Sequence, residues 1–361
     1  MELPLSPVQD HAKPVRVMIV DDSAIIRTII EKFLKGDTQI EVVGFAGNGQ
    51  DALTIIENCQ PDVIILDIEM PVMDGLTALP LLLKKKRDVK IVICSTLSQR
   101  GAEISLKALS LGAADYILKP TGAGNIQQST DFQNNLRHII HSLGRRRVIV
   151  HTPAQPVTLR KAPLGVFTPD ILAIGSSTGG PNALIEFFKA LKSAPIPVVI
   201  TQHMPKTFTT VLAGYIEQNT GFICHEGQHN MLLQPGHIYL APGGYHMRFK
   251  RTEQGVAVQL DEGPMENFCR PAVDPMLRSL ADIYGRNILT VILTGMGNDG
   301  LQGCQTIVKS GGCVIAQDEP TSIVWGMPGA VAKDGLCTLI QPISKLAEFV
   351  TQSCLNTKTA S

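Results

Sequence analysis

The stretch Leu172-Ala173-Ile174-Gly175-Ser176-Ser177-Thr178-Gly179-Gly180-Pro181 decides the fold of the second half of this 361-residue chain. An apolar run stops at Gly175, two serines follow, and two more glycines allow a tight turn before Pro181, which suits a first helical turn. The stretch therefore predicts a strand, a sharp turn and a helix. Such a turn lifts one side chain above the carboxyl edge of a sheet, near the positive end of the helix dipole.

Ser177 is the side chain that this turn would raise. It lies at the centre of a G-x-S-x-G pattern, which is typical of a nucleophilic serine. The same letters fit a glycine-rich loop that holds a phosphate, or a tight turn built from small residues. The motif alone leaves these three interpretations open, so the choice depends on the rest of the chain.

The composition limits the classes of function. The 32 Lys and Arg residues balance 32 Asp and Glu residues, so the chain has no net basic field and we expect no nucleic-acid partner. Eight cysteines occur without a C-x-x-C pair, which favours a reduced, cytoplasmic protein. No uninterrupted apolar run is long enough for a membrane span, so we expect a soluble protein that is not embedded in a membrane.

Apolar strands alternate with helical patterns between Val15 and Leu143, which predicts a doubly wound, five-stranded parallel sheet. Polar residues follow four of these strands at their carboxyl ends: Asp21, Asp22, Asp67, Ser95 and Lys119. Because such ends share one edge, the three carboxylates would repel one another unless Mg²⁺ neutralised them. A bound cation would support phosphoryl transfer to one carboxylate. The alternative is that these acidic residues only form turns and helix caps.

Three motifs of this half resemble the receiver domain of two-component response regulators: Val-Asp-Asp-Ser, Leu-Asp-Ile-Glu-Met-Pro-Val-Met-Asp-Gly and Tyr-Ile-Leu-Lys-Pro. The resemblance implies that Asp67 accepts a phosphoryl group, with a histidine kinase as the phosphodonor. The ligands that it implies for Mg²⁺ are Asp21, Asp22, Asp67 and the backbone at Glu69. It also implies a phosphorylation switch formed by Ser95, Tyr116 and Lys119.

A second parallel α/β unit of Rossmann-like type is predicted beyond a proline-rich linker at residues 144–169. Three of its strands are followed by Ser177, His203 and Asp299. If these strands lie side by side, the serine can attack, the histidine can take its proton, and the aspartate can orient the imidazole. The glycines flanking Met296 leave its backbone N–H free to hold an oxyanion.

Two other patterns in this half do not change this expectation. The order Ser, His, Asp differs from the order Ser, Asp, His of α/β-hydrolases, so the G-x-S-x-G pattern does not predict that fold. His225 and His229 lie four residues apart without the H-E-x-x-H pattern of a zinc helix, so we expect an exposed loop pair. The ester chemistry therefore needs no cofactor.

Four motifs of this half are similar to the catalytic domain of chemotaxis protein-glutamate methylesterases: Gly-Ser-Ser-Thr-Gly-Gly-Pro, Thr-Gln-His-Met-Pro, Cys-Arg-Pro-Ala-Val-Asp-Pro and Ile-Leu-Thr-Gly-Met-Gly-Asn-Asp-Gly. The resemblance implies hydrolysis of γ-glutamyl methyl esters on methyl-accepting chemotaxis receptors, with release of methanol, and deamidation of receptor glutamines. Ser177, His203 and Asp299 match its triad, and Met296 matches its oxyanion donor. Ser176 stands where alanine is common in this family.

The expected domain order is a tail (1–14), a receiver domain (15–143), the linker (144–169), a methylesterase domain (170–350) and a second tail (351–361). This order suggests that an unphosphorylated receiver blocks the esterase and that phosphorylation activates it. The alternative is a phospho-regulated adaptor that binds a partner without catalysis, the glycine-rich turn serving as an anion nest.

Overall fold

The computed structural model describes residues 13–119, 126–144, 157–161 and 167–355, with side chains of the fifth helix described from Phe132. Most of the predicted N-terminal tail and linker, and residues 356–361 of the predicted C-terminal tail, lie outside the described residues. The chain divides into two compact units that correspond mainly to its two halves. Each unit is a separate α/β fold.

The N-terminal unit is a five-stranded sheet in the order β2-β1-β3-β4-β5, and every strand pair is parallel. The predicted doubly wound fold is confirmed. Its strands are β1 (Val15–Val20), β2 (Ile40–Ala46), β3 (Val63–Asp67), β4 (Lys90–Ser95) and β5 (Asp115–Leu118). The helices in this half of the chain are α1 (Ala24–Leu34), α2 (Gly49–Cys59), α3 (Gly75–Lys85), α4 (Gln99–Ser110) and α5 (Ile126–Gly144).

Burial and helix capping explain where these strands and helices lie in the sequence. Every residue of β3 is buried, as expected for a central parallel strand with helices on both faces. The side chains of Ser23, Asn48 and Asp74 accept hydrogen bonds from backbone N–H groups in the first turns of α1, α2 and α3. The caps of α1 and α2 lie within three residues of the preceding strand, whereas seven residues, 68–74, separate β3 from α3.

The C-terminal unit is a seven-stranded parallel sheet in the order β14-β13-β12-β6-β7-β9-β8, with a separate antiparallel hairpin of β10 and β11. Its strands are β6 (Ile171–Ser176), β7 (Val198–Gln202), β8 (Cys224–Glu226), β9 (Ile238–Leu240), β10 (His246–Thr252), β11 (Gly255–Asp261), β12 (Ile288–Ile292), β13 (Cys313–Gln317) and β14 (Leu339–Gln341). Its helices are α6 (Gly180–Ala190), α7 (Lys206–Thr220), α8 (Val273–Tyr284), α9 (Leu301–Lys309), α10 (Met327–Lys333) and α11 (Ile343–Leu355).

Strand β6 is the centre of this sheet. It pairs with β7 on one side and with β12 on the other, so the chain leaves β6 in one direction and later returns to build the opposite half. Ligands of open α/β sheets bind at such a switch point, outside the carboxyl ends of the strands. The three strands that precede Ser177, His203 and Asp299 are therefore neighbours, which is the condition on which the expected triad depends.

The structure differs from the sequence prediction in its shortest elements. Strands β8 and β14 contain three residues each, which is too short to show an alternating pattern. Helix α11 runs to Leu355, so the predicted domain end at residue 350 falls inside a helix. Among the described helices, none combines the length and the apolar character that a membrane crossing requires.

We predict that Gly243→Ala destabilises the C-terminal unit, because a Cβ there would lie 2.1 Å from the backbone nitrogen of Lys206 at the start of α7. A clash with backbone cannot be relieved by a side-chain rotation, and we expect a loss of about 1–3 kcal/mol in the free energy of unfolding. Urea denaturation of the full chain measures it. Gly214→Ala, inside α7 with no atom within 4 Å of the new Cβ, is the control and should be neutral or slightly stabilising. Equal stability of the two variants would contradict this packing argument.

Candidate catalytic and phosphorylation sites

Ser177 lies on the turn between β6 and α6, where the sequence places it. Its backbone N–H donates to the carbonyl of Thr294 at 3.0 Å, and its own carbonyl accepts from the Gln202 side chain at 3.0 Å and from Gly180 N–H at 2.7 Å. The turn is thus tied to the segments after both neighbouring strands. Ser177 is partly exposed, and within the described residues its hydroxyl makes no hydrogen bond.

The two adjacent serines have different surroundings. Ser176 is completely buried, and its hydroxyl donates to Gln202 Oε1 at 2.7 Å. Since Gln202 also holds the Ser177 carbonyl, the Ser176 hydroxyl supports the turn from below. Ser177 is therefore the only one of the pair whose hydroxyl is open to a reacting group.

His203 follows β7 directly, and its backbone N–H donates to the Ser176 carbonyl at 3.2 Å. Its Nε2 lies 2.7 Å from Asp299 Oδ2, and its Nδ1 lies 3.3 Å from the sulfur of Cys269. Burial lowers the pKa of His203, but negative charge on the Cys269 sulfur and the hydrogen bonds that the ring donates to Asp299 and Cys269 outweigh burial and raise the pKa to about 10. No hydrogen bond joins His203 to Ser177 in the described part of the chain.

Asp299 is a buried carboxylate that many donors surround. Its Oδ2 accepts from Val273 N–H at 2.6 Å, and its Oδ1 accepts from the N–H groups of Asp274 at 3.2 Å and Gly300 at 2.9 Å. Helix α8 has no capping side chain of its own, so Asp299 occupies its N-terminus. Burial would raise the pKa of Asp299, yet His203 and these backbone donors lower it.

The tautomer of His203 follows from this geometry. An ionised Asp299 can only accept, so Nε2 of the imidazole must carry the hydrogen that lies between them. Nδ1 is then the basic nitrogen of the neutral ring. Cys269 therefore contacts the atom that would take the proton from Ser177.

Three residues that the sequence analysis did not assign to the site also belong to it: Asn267, Cys269 and Asp274. The Asn267 amide donates to Asp299 Oδ1 at 2.9 Å and to Asp274 Oδ2 at 3.0 Å. Burial and the charge of Asp299 raise the pKa of Asp274 to about 6, although hydrogen bonds from Gly303 and Asn267 oppose this. Cys269 and Asp274 lie in the Cys-Arg-Pro-Ala-Val-Asp-Pro motif, and this motif is the sequence signal that could have identified them as site residues.

The predicted oxyanion donor lies beside the serine. A Cβ at Gly295 would lie 2.9 Å from Ser177 Cβ and 3.0 Å from Ser177 N, so only glycine allows this approach. Met296 follows immediately, and its N–H has no acceptor within the described residues. This leaves one backbone donor available next to Ser177.

The prediction of an exposed loop pair at His225 and His229 is wrong for the first histidine. His225 lies on β8, is partly buried, and places Nε2 2.9 Å from His237 Nδ1. Its ring also stacks on that of His237, with 5.2 Å between centroids. His229 is exposed, and its Nδ1 accepts from Leu260 N–H at 3.2 Å. These histidines form structural contacts and do not meet a third potential metal ligand in the described residues.

The predicted acidic edge of the N-terminal unit is present. One ligand atom each of Asp21, Asp22 and Asp67 lies within 4.8 Å of the others, and the Lys119 ammonium lies 3.0 Å from Asp21 Oδ2 and 2.8 Å from Asp67 Oδ2. Burial raises the pKa of Asp67, although Lys119 opposes this. Burial would lower the pKa of Lys119, but its two carboxylate partners raise it.

This edge fits a hard divalent cation. Asp21 Oδ2 is buried and has no well-formed hydrogen bond in the described residues, although Lys119 lies close to it. Carboxylate oxygens are the ligands that Mg²⁺ prefers. Glu69, whose backbone was expected to contribute, is exposed two residues after Asp67. Asp21 and Asp22 follow β1, Asp67 is the last residue of β3, and Glu69 follows that strand.

The expected switch residues lie on the neighbouring strands. Ser95 is buried at the end of β4, and its carbonyl accepts from Lys119 N–H. Tyr116 is on β5 and pairs with Ile93 of β4. Ser95 and Tyr116 thus lie on the adjacent strands β4 and β5. Strand β4 also pairs with β3, which carries Asp67.

Comparisons with known proteins agree with both halves. The family model of the response regulator receiver domain matches residues 17–131, and that of the CheB methylesterase matches residues 172–350. The chain is 45% identical to protein-glutamate methylesterase/protein-glutamine glutaminase 1 of Paramagnetospirillum magneticum over 371 aligned residues, which cover 96% of this chain and 97% of that protein. A protein-glutamate methylesterase/protein-glutamine glutaminase of Azospirillum brasilense is 48% identical, with 93% of this chain and 92% of that protein covered.

A solved structure supports the assignment of the second unit. The crystal structure of the Thermotoga maritima CheB methylesterase catalytic domain matches with a TM-score of 0.50 and 38% identity, covering 51% of this chain and 98% of that one. The match to the curated relatives extends over nearly the whole length of both proteins. The chain therefore belongs to the family of protein-glutamate methylesterase/protein-glutamine glutaminases that carry a response regulator receiver domain.

Proposed function

We propose that this chain hydrolyses γ-glutamyl methyl esters on methyl-accepting chemotaxis receptors to glutamate and methanol, and deamidates receptor glutamines to glutamate and ammonia. A histidine kinase supplies the phosphoryl group that activates it at Asp67. The observation that carries this proposal is the hydrogen bond between Asp299 and Nε2 of His203 beside Ser177, at the carboxyl ends of three adjacent strands. An adaptor without catalysis would not need this arrangement.

The reaction begins with proton transfer. Nδ1 of His203 takes the hydroxyl proton of Ser177 while the serine oxygen attacks the ester carbonyl carbon. Asp299, which remains ionised, stabilises the imidazolium that forms. The Cys269 thiol contacts Nδ1 in this structure, so it has to yield that nitrogen to the serine hydroxyl.

The tetrahedral intermediate carries its negative charge on the former carbonyl oxygen. The Met296 N–H, which has no acceptor in the described part of the chain, is the donor that we assign to this oxygen, and one such donor contributes about 3 kcal/mol elsewhere. The imidazolium then protonates the leaving methoxide, or the leaving amine in the deamidation. Water, activated by the same Nδ1, hydrolyses the acyl-serine and restores the enzyme.

Asn267 and Asp274 act through Asp299. The amide of Asn267 bridges the two carboxylates, which would otherwise repel each other in a buried site. Protonation of Asp274 near its raised pKa would remove part of that repulsion. We infer that the two residues hold Asp299 in the orientation that His203 requires.

The receiver supplies the regulation. Asp21, Asp22, Asp67 and the backbone at Glu69 are the groups that we assign to Mg²⁺, which neutralises the phosphoryl oxygens when it is bound. Lys119 contacts Asp67 and is placed to pair with the added phosphoryl group. Ser95 and Tyr116 then transmit the conformational change caused by phosphorylation to the rest of the chain.

We predict that Ser177→Ala lowers methanol release from methylated receptor fragments by at least about 10³-fold, because the attacking oxygen is lost. Ser176→Ala is the matched control. Among the described residues its hydroxyl bonds to Gln202 alone, so this variant should keep its rate within about tenfold at a cost of about 1 kcal/mol in stability. Gas chromatography of methanol measures both. Comparable rates for Ser177→Ala and the wild type would contradict the proposed triad.

We predict that Cys269→Ala shifts the acidic limb of the pH-rate profile to lower pH. The Cys269 sulfur stabilises the protonated imidazole through its negative charge and by accepting a hydrogen bond from Nδ1, so its removal lowers the pKa of His203 and exposes the free base at lower pH. At a fixed pH below the pKa of His203, the rate of Cys269→Ala should exceed the wild-type rate about tenfold for each pH unit by which the acidic limb moves. Cys59→Ala, in the N-terminal unit, is the control, and a limb that stays at the wild-type position in Cys269→Ala would refute this role.

We predict that a small-molecule phosphodonor with Mg²⁺ raises the rate of methanol release, and that Asp67→Asn or an excess of EDTA abolishes this increase. The amide of asparagine cannot accept the phosphoryl group, and without Mg²⁺ the oxygens of the phosphoryl group and carboxylates repel one another. The ratio of rates with and without phosphodonor is the measured quantity. Asp88→Asn, at an exposed position before β4, should keep the wild-type ratio. Stimulation that survives in Asp67→Asn would disprove this site.

A further inference from the structure

The loop that carries Asn267 and Cys269 also displays an aromatic side chain beside the catalytic histidine. Phe268 is 97% exposed, and Met265 in the same loop is 63% exposed. Single exposed apolar residues are normal on protein surfaces and need no explanation. Phe268 differs from them in its backbone conformation and in the contacts of its two neighbours.

The backbone of Phe268 is in an unfavourable conformation. Glu266 and Cys269 exchange both backbone hydrogen bonds, at 3.1 and 2.9 Å, so Asn267 and Phe268 form a two-residue turn. Their φ angles are +51° and +62°. Such a turn favours Asn followed by Gly, because the second position is also left-handed. Asparagine is therefore well placed here, whereas phenylalanine lies in a region that bulky residues rarely occupy.

Hydrogen bonds hold the residues on both sides of Phe268, so its exposure does not result from a loop that lacks contacts. Glu266 accepts two hydrogen bonds from Arg278 Nη2, at 2.6 and 2.8 Å. Asn267 donates to Asp299, and Cys269 contacts Nδ1 of His203. The residues on both sides of Phe268 thus touch the triad, while its own ring faces solvent.

A strained backbone at a functional site is a reason to look for a role. The ring gains no burial in this chain that would offset the strain, so a gain is expected only when another molecule covers it. The molecule that must come to this position during catalysis is the one that carries the ester. A glutamyl ester on a helix brings the residues three and four positions away to the same face, within about 6 Å between Cβ atoms.

We propose that Phe268, together with Met265, is the substrate-positioning contact that packs on apolar side chains of the receptor helix one turn away from the methylated glutamate. The inference rests on the proposed function, since it specifies how that protein substrate is recognised. It predicts that the site prefers an ester on a helix to a free small ester. An aromatic ring gives this contact a large apolar area at low entropy cost, because only two side-chain torsions are fixed.

The test compares two substrates on full-length protein: a methylated receptor signalling fragment and the γ-methyl ester of N-acetylglutamate amide. Phe268→Ala should raise KM for the receptor fragment about tenfold, which corresponds to about 1.4 kcal/mol of lost contact. Its kcat on the fragment, and its kcat/KM on the small ester, should stay within about twofold of the wild type. Ile223→Ala, which truncates a 45% exposed apolar residue elsewhere in the same unit, should leave both substrates unaffected.

A second variant separates recognition from stability. Phe268→Gly removes the ring and also the strain, so it should raise KM for the fragment as Phe268→Ala does, while its Tm rises by about 2–4 °C. Phe268→Tyr keeps the ring and should restore the wild-type KM. An unchanged KM for the fragment, or equal losses on both substrates, would overturn this inference while leaving the proposed function intact. Wild-type protein that releases methanol from the small ester but none from the fragment would overturn both.

Discussion

The adjacency of β12, β6 and β7 is the constraint on which the catalytic unit depends. Parallel pairing brings the three carboxyl ends to one edge, so a serine, a histidine and an aspartate that together span more than a hundred residues of the chain converge without any long loop. Packing then refines the site. Gly295 allows the backbone before Met296 to approach Ser177, and Gln202 holds the serine turn from the neighbouring strand. The chemistry therefore follows from the order of strands in the sheet.

Both units place carboxylates at the carboxyl edge of a parallel sheet, but the hydrogen bonds and charges that surround these carboxylates differ. Asp299 is buried but ionised, because it accepts hydrogen bonds from a histidine, an asparagine and the N-terminus of α8. It needs no cation. Asp21 and Asp67 share one ammonium group, and Asp21 keeps an oxygen without a well-formed hydrogen bond. That deficit suits a site that takes up Mg²⁺ and a phosphoryl group, whereas the complete set around Asp299 suits a fixed catalytic geometry.

Sequence alone predicted the strands, their parallel pairing and the residues at their ends, because burial on both faces and the turn residues after each strand leave clear patterns. Ser177, His203 and Asp299 could be named for that reason. It did not predict roles for Asn267, Cys269 and Asp274, which lie in a loop and a helix start between β11 and β12. Their contacts with the triad depend on how that segment crosses the edge of the sheet. The hydrophobic periodicity of the sequence gives no information about the path of such a loop. His225 was misassigned because a three-residue strand has too few residues to show alternation.

The same segment joins catalysis and recognition. Because Asp299 caps α8, any shift of that helix would move the carboxylate, and with it the imidazole. The turn of Glu266 to Cys269 is held to the same helix through Arg278 and to the triad through Asn267 and Cys269. A substrate helix resting on Phe268 would therefore be held at a fixed position beside His203 while the geometry of the triad stays unchanged. The strain of this short turn is tolerated because both flanking residues are held by the site that it serves.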